Sequence, residues 1–260
     1  MWQAIGASTL GTSHLKVGTP CQDAHGYRPL PQAMVAAVAD GLGSAAQSHV
    51  GSALAVETAL NWLEQALPDT ATHPIDAAGW KTLLANTFAA ARQALVTQAE
   101  AHAQPLSDLA TTLSVVIWTA EWLAVGQLGD GAVVTYALDD TMTTAIPPQR
   151  GEFVNETFPL TQANALDLVE FCTLQEPLRA VSLLTDGLQT LSMNVATGQP
   201  YRPFFRPFFE ALAAPVDTQA VSEQLRQFLA SPRVCSKTDD DKTLVVISQV
   251  TSPLQRTVDL

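Results

Sequence analysis

Three strand-like apolar runs in this chain end in the dipeptide Asp-Gly. Residues 35–39 lead into Asp40-Gly41, residues 123–129 into Asp130-Gly131, and residues 181–185 into Asp186-Gly187. A fourth acidic cluster, Asp239-Asp240-Asp241, stands just before the apolar run 244–247. Carboxylates at strand ends this far apart in the chain converge only if the strands share a sheet. Converged carboxylates repel one another, and hard divalent cations relieve the repulsion, so a metal site is one reading. Hairpin turns are the other, because Asp and Gly both tolerate positive φ. The residues after each glycine separate the three. Val133-Val134-Thr135-Tyr136 continues as a strand, as after a hairpin. Ser44 onward and Leu188 onward read as helix, which puts Asp40 and Asp186 at strand-to-helix junctions, on a rim where sites are built.

Periodicity outlines the elements that carry these residues. Residues 2–9 and 34–39 read as strands flanking a loop that carries Gly11, Gly18, Pro20 and Gly26. From Ser44 to Leu67, Ala53, Val56, Leu60, Leu63 and Leu67 recur at helical spacing, and 68–74 breaks the helix. Leu84, Phe88, Ala91, Leu95 and Ala99 form the stripe of a second long helix that ends before Pro105. A meander of three strands comes next, over 111–119, 122–127 and 132–138. Residues 139–178 are less regular, and 180–184 is another strand. The run Pro200-Tyr201-Arg202-Pro203-Phe204-Phe205-Arg206-Pro207-Phe208-Phe209 reads as a packed loop feeding a helix, with a docking surface as the alternative. An amphipathic helix over 217–230 and a strand over 243–250 complete the chain. Two consecutive long helices among mostly antiparallel strands predict an α+β layered fold.

Composition narrows the function. Lys and Arg number 13 against 25 Asp and Glu, a net charge of −12, and no basic cluster occurs. This argues against nucleic acid as a partner, since phosphate backbones need a basic footprint. The acidity fits bound cations and plain surface solubility equally well. Cys21, Cys172 and Cys235 form neither a zinc spacing nor a disulfide framework and point to a reducing compartment. Residues 1–6 lack the features of a signal peptide, and no apolar run approaches the roughly 18 residues of a membrane span. A soluble cytoplasmic protein without a membrane partner is expected. With 47% apolar content and candidate site residues spread from 40 to 241, residues 1–260 are expected to form one domain.

The order of motifs resembles the type 2C metal-dependent protein phosphatases. It runs through Gln22-Asp23, then Val38-Ala39-Asp40-Gly41-Leu42-Gly43, Ala110-Thr111-Thr112-Leu113, Gly129-Asp130-Gly131, Thr185-Asp186-Gly187-Leu188 and Asp240-Asp241-Lys242-Thr243. Finer details are similar to the bacterial serine/threonine phosphatase C branch. They are Gly11-Thr12-Ser13-His14, Pro20-Cys21-Gln22-Asp23-Ala24, Gly151-Glu152-Phe153 with Asn155, and the Pro-Phe-Phe repeats. The resemblance implies a four-layer α-β-β-α sandwich, two mostly antiparallel sheets flanked by helix pairs. It implies a serine/threonine protein phosphatase that hydrolyses phosphomonoesters by attack of a metal-bridging hydroxide on phosphorus. Asp40, Asp186 and Asp240 would be the catalytic carboxylates, holding two Mg²⁺ or Mn²⁺ ions together with the Gly41 carbonyl. Asp130 would help to hold a third ion, and Asp23, Gln22 and Thr112 would stand behind the ligands. Two cations about 3.5–4 Å apart activate water and hold the phosphoryl oxygens for in-line attack. All-oxygen ligands favour Mg²⁺ or Mn²⁺ over zinc. The implied partners are a phosphorylated protein and a cognate serine/threonine kinase, and the implied state is a monomer.

Three departures from the family pattern stand out. Gln22 occupies a position where most members have Glu, which removes one charge. The arginine that grips substrate phosphate in many members would fall at Gly18, and His14 and Lys16 on the same loop are the candidates to replace it. Leu42 stands where some members carry a histidine. These departures leave an alternative: a catalytically weak or inactive phosphatase-fold protein that binds a phosphorylated partner.

Overall fold

The computed structural model describes residues 2–67, 76–149, 157–194 and 197–250. Its strands in chain order are β1 (Trp2–Thr9), β2 (Asp23–Leu30), β3 (Ala33–Asp40), β4 (Leu113–Thr119), β5 (Leu123–Leu128), β6 (Ala132–Ala137), β7 (Met142–Ile146), β8 (Glu170–Leu174), β9 (Leu178–Leu184), β10 (Met193–Asn194), β11 (Gln199–Pro200) and β12 (Lys242–Gln249). The helices are α1 (Thr12–Val17), α2 (Ser48–Ala66), α3 (Ala77–Ala101), α4 (Gln189–Ser192), α5 (Arg202–Ala211), α6 (Thr218–Leu229) and α7 (Pro232–Cys235). One five-stranded sheet has the order β2-β3-β4-β5-β8 and the other β1-β12-β9-β6-β7, with β10 and β11 a small separate pair. Every pairing among the described residues is antiparallel.

Strand β3 shows why the central strands read as unbroken apolar runs. Its odd-numbered residues Ala33, Val35, Ala37 and Ala39 pack under α2 and α3, while Met34, Ala36 and Val38 face the other sheet. A strand buried on both faces has no polar alternation to show. β12 repeats the arrangement: Leu244 and Val246 lie with the α5 and α6 side chains, and Val245 and Ile247 lie between the sheets. The result is the expected α-β-β-α order, with three apolar layers separating four layers of elements. In α3, Trp80, Leu84, Phe88, Ala91, Leu95 and Ala99 all face this core, as their spacing predicts. Each fully buried Leu or Phe contributes about 1.5–3 kcal/mol.

Four local expectations are corrected. The loop expected between the first two strands contains α1 and the edge strand β2. Gly26 lets β2 approach α2, since a Cβ there would sit 2.7 Å from Leu60 Cδ1, and Pro29 is tolerated because β2 borders the sheet. Residues 139–178 contribute two more border strands, β7 and β8. The expected helix from Ser44 begins at Ser48. The Pro-Phe-Phe run is itself helix α5, despite Pro207 within it. Phe205 and Phe209, one turn apart, are buried and stacked with centroids 6.0 Å apart, and Phe204 and Phe208 pack against Phe228 of α6. No helix among the described residues is long and apolar enough to cross a membrane.

Candidate active site

In antiparallel sheets, strand ends and strand starts alternate at each pole. The ends of β3, β5 and β9 and the starts of β2, β4, β6 and β12 therefore meet at one pole of the sandwich, and the predicted carboxylates sit there. Asp23 opposes Asp40 directly across the β2–β3 pair. Asp40 ends β3, Asp130 lies in the β5–β6 connection that crosses between the sheets, Asp186 follows β9, and Asp240 precedes β12. Asp40, Asp130, Asp186 and Asp240 line one cleft of about 590 Å³, together with Ser13, His14, Gln22, Gly41, Leu42 and Thr112. Among the described residues, no Lys or Arg side chain lines it.

The backbone around Asp40 is fixed on both sides. Its N–H donates to Thr112 Oγ1 at 2.9 Å, and its carbonyl accepts from Thr112 N at 2.8 Å and Thr111 Oγ1 at 3.0 Å. Gly41 N donates to the Gln22 carbonyl at 3.1 Å. A Cβ on Gly41 would lie 2.7 Å from the Ser48 backbone, so only glycine lets α2 begin this close to the site. Asp23 accepts from the hydroxyls of Thr185 and Thr243, each at 2.7 Å, which ties β2 of one sheet to β9 and β12 of the other. Asp130 accepts from Thr157 Oγ1 at 2.7 Å, and its carbonyl accepts from Gln189 Nε2.

Burial and mutual repulsion set the acidities. Burial, then the charges of Asp23 and Asp186, hold the Asp40 carboxyl well above the ordinary carboxylate range. Asp186 is pushed up to about 6, mainly by burial and then by the charge of Asp130. The neighbouring Asp186 carboxyl adds further to the upward shift of Asp40. Burial also raises Asp130, and pushes Asp23 up to about 8 against the opposing pull of the two threonine hydroxyls. These carboxylates relieve their repulsion only by keeping protons, a role a divalent cation fills better at neutral pH.

The donor set fits such an ion. The buried oxygens Asp186 Oδ1, Gln22 Oε1 and Asp23 Oδ1 have no hydrogen-bond partner among the described residues. Among the described residues, no three His, Cys, Asp or Glu side chains are grouped closely enough to hold an ion by themselves. An open, all-oxygen arrangement suits Mg²⁺ or Mn²⁺, since Mg²⁺ keeps several waters and takes only one or two carboxylates.

Comparison with known proteins places this geometry. A family model described as protein phosphatase 2C matches residues 10–230. The chain belongs to the protein phosphatase 2C family. It is therefore a phosphoprotein phosphatase, a hydrolase of a metal-dependent family. Serine/threonine-protein phosphatase 3 of Escherichia coli (strain K12) is 35% identical over 255 residues, covering 94% of this chain and 97% of its own. The serine/threonine phosphatase Stp1 of Staphylococcus aureus superposes with a TM-score of 0.68 at 13% identity, covering 96% of each chain. The catalytic domain of PstP, solved in complex with two manganese ions, superposes with a TM-score of 0.64 at 19% identity, covering 96% of this chain and 99% of its own. At these identities the structural likeness is one of fold.

Within the phosphatase 2C fold, Asp40, Gly41, Asp130, Asp186 and Asp240 converge on the cleft, with Gln22 and Thr112 on its wall and Asp23 behind Asp40. Within the triple Asp, both Asp239 and Asp240 line the cleft. Asp240 is exposed to the cleft, whereas Asp241 is buried and turned toward the segment after β1. His14 lines the cleft, but Lys16, two residues along α1, is exposed and does not, because two helical steps turn a side chain about 200° away. Gly18 caps α1 in the left-handed conformation, φ 74°, a position that disfavours any side chain. Gly151-Glu152-Phe153 and Asn155 lie outside the described residues. Sequence reasoning missed Thr157 and Gln189 as partners of Asp130, and nothing in their surroundings marked them. Thr185 and Thr243 were visible as members of the ordered motifs, but not as hydrogen-bond donors to Asp23.

Proposed function

We propose that this chain removes phosphate from phosphoserine and phosphothreonine in proteins. It would use two Mg²⁺ or Mn²⁺ ions held by Asp40, the Gly41 carbonyl, Asp186 and Asp240, and a more weakly held third ion at Asp130. The observation that carries the reading is the convergence of Asp40, Asp130, Asp186 and Asp240 on one open polar cleft, where burial and mutual repulsion hold Asp40 and Asp186 above the ordinary carboxylate range. When bound, the ions supply a nucleophilic water at neutral pH and neutralise charge on the phosphoryl group. The chain's own residues do the rest. Thr111 and Thr112 keep the Asp40 backbone still. The Gln22 oxygen, buried and unpartnered, accepts a hydrogen bond from an ordered water at the site. His14 reaches the phosphoryl oxygens from the rim. Residues 1–260 act as one domain, since the site draws on segments from Gln22 to Asp240, and the protein works as a cytoplasmic monomer opposing a serine/threonine kinase.

The test is phosphate release from phosphoserine and phosphothreonine peptides beside a panel of small phosphorylated metabolites. Release from the peptides should rise with Mn²⁺ and vanish with chelator and in Asp40→Asn and Asp186→Asn. Turnover confined to the metabolites would overturn the protein-substrate reading. No turnover over a range of divalent ions would overturn the enzymatic one and leave a phosphoprotein-binding module.

A further inference from the structure

The geometry points to Asp241 as a positioning residue: we propose that it holds the His14 imidazole toward the cleft, where Nε2 donates to a phosphoryl oxygen and takes over the grip that Gly18 cannot provide. The inference rests on the phosphatase reading above. Asp241 is only 3% exposed. Its Oδ1 accepts from Gly11 N and its Oδ2 from Gln22 N, each at 2.6 Å, so two backbone amides fix the carboxylate plane. Oδ2 also lies 3.0 Å from His14 Nδ1, an ion-pair distance off the hydrogen-bond line, the looseness usual before a substrate is bound.

The surrounding segment is clamped just as firmly. Ser13 donates from N and from Oγ to the Asp239 carbonyl at 2.9 and 2.6 Å. Lys242, fully buried, spans the Asp240 carbonyl at 2.9 Å and the Leu10 carbonyl at 3.4 Å. The first turn of α1 is thereby fastened to the start of β12 at both ends of the histidine's reach. His14 Nε2 has no hydrogen bond to the described residues and is left to the cleft. With Nδ1 turned to Asp241, Nε2 is the ring nitrogen that meets a phosphoryl group in the cleft. A carboxylate behind a histidine fixes which way the ring faces, as in the outer shells of metal sites.

A kinetic cycle on a phosphoserine peptide with saturating Mn²⁺ tests this with His14→Gln, Asp241→Asn and the double variant. A hydrogen bond to a charged group is worth about ten- to a hundredfold, so His14→Gln should lower kcat/KM by that factor. Asp241→Asn should lose a comparable factor, and the double variant should fall no more than about twofold below His14→Gln. A merely structural Asp241 would give multiplied losses, and that result overturns the proposal, as does a change under twofold in His14→Gln. A second arm uses the wild-type protein alone and does not depend on the folding of the Asp241 variant. The ¹⁵N imidazole signals of His14 should move and saturate as inorganic phosphate is added in the presence of Mg²⁺. Signals that stay still overturn the inference even in an active enzyme. An inactive enzyme whose His14 signals move refutes only the phosphatase reading.

Discussion

Replacing Asp186 by asparagine should make the metal-free protein more stable at alkaline pH while abolishing its activity. In the fold the Asp186 carboxyl is raised from 3.8 to about 6, chiefly by burial and by the charge of Asp130. Between those values the folded chain keeps a proton that the unfolded chain has lost. Its contribution is therefore whole below about pH 4 and is lost as pH rises through 6. Asp23, pushed up to about 8, extends the loss to higher pH. At about 1.4 kcal/mol for each tenfold change in acidity, Asp186 alone accounts for roughly 3 kcal/mol at pH 8. Its neighbours relax when one charge goes, which leaves a net gain of about 1.5 kcal/mol for the variant. At about 2–4 °C per kcal/mol for a chain of roughly this size, the melting temperature should rise by about 3–6 °C. Scanning calorimetry in chelator at pH 8 and pH 5 measures it, with the gain shrinking at pH 5. Excess Mn²⁺ should reverse the order, because wild type gains about 2.7 kcal/mol at a hundred times its Kd and the variant gains little. A variant that melts below wild type at pH 8 in chelator would refute the reasoning.

Other consequences arise from single contacts. Gly41→Ala drives a Cβ to 2.7 Å from the Ser48 backbone; it should cost about 1–3 kcal/mol in denaturant unfolding and weaken Mn²⁺ binding in calorimetry. Phe205→Ala empties a fully buried site under α5; it should cost about 3–5 kcal/mol in the same unfolding assay while leaving kcat of the folded protein within about twofold. His14→Ala should lose far more kcat/KM than Lys16→Ala, because only the first side chain lines the cleft; equal losses in a peptide assay would contradict the placement.

The sequence was most legible where burial is greatest. β3, the β4–β6 meander and β12 announce themselves as apolar runs because both of their faces are covered. The stripes of α2 and α3 appear at helical spacing because one face of each rests on a sheet, although Ala53, counted in the α2 stripe, is exposed. The missed strands β2, β7 and β8 are all sheet borders. A border strand is relieved of full burial, so β2 carries His25, Gly26 and Pro29 and loses the apolar signature. Helix α5 was hidden by its prolines, although Phe205 and Phe209 stand one turn apart. In the site, residue type and order exposed Asp40, Asp130, Asp186 and Asp240, but only the fold shows that Asp241 is buried while Asp239 and Asp240 both line the cleft. The anchoring of His14 by Asp241 joins residues 227 positions apart in the chain, and no local pattern encodes that.

The central claim is that the strand ends at one pole build a divalent-metal centre. Crystals grown with Mn²⁺ and measured at the manganese absorption edge test it directly. Anomalous peaks should lie in the cleft beside Asp40, the Gly41 carbonyl, Asp186 and Asp240. A cleft without a peak in well-ordered crystals would contradict the account.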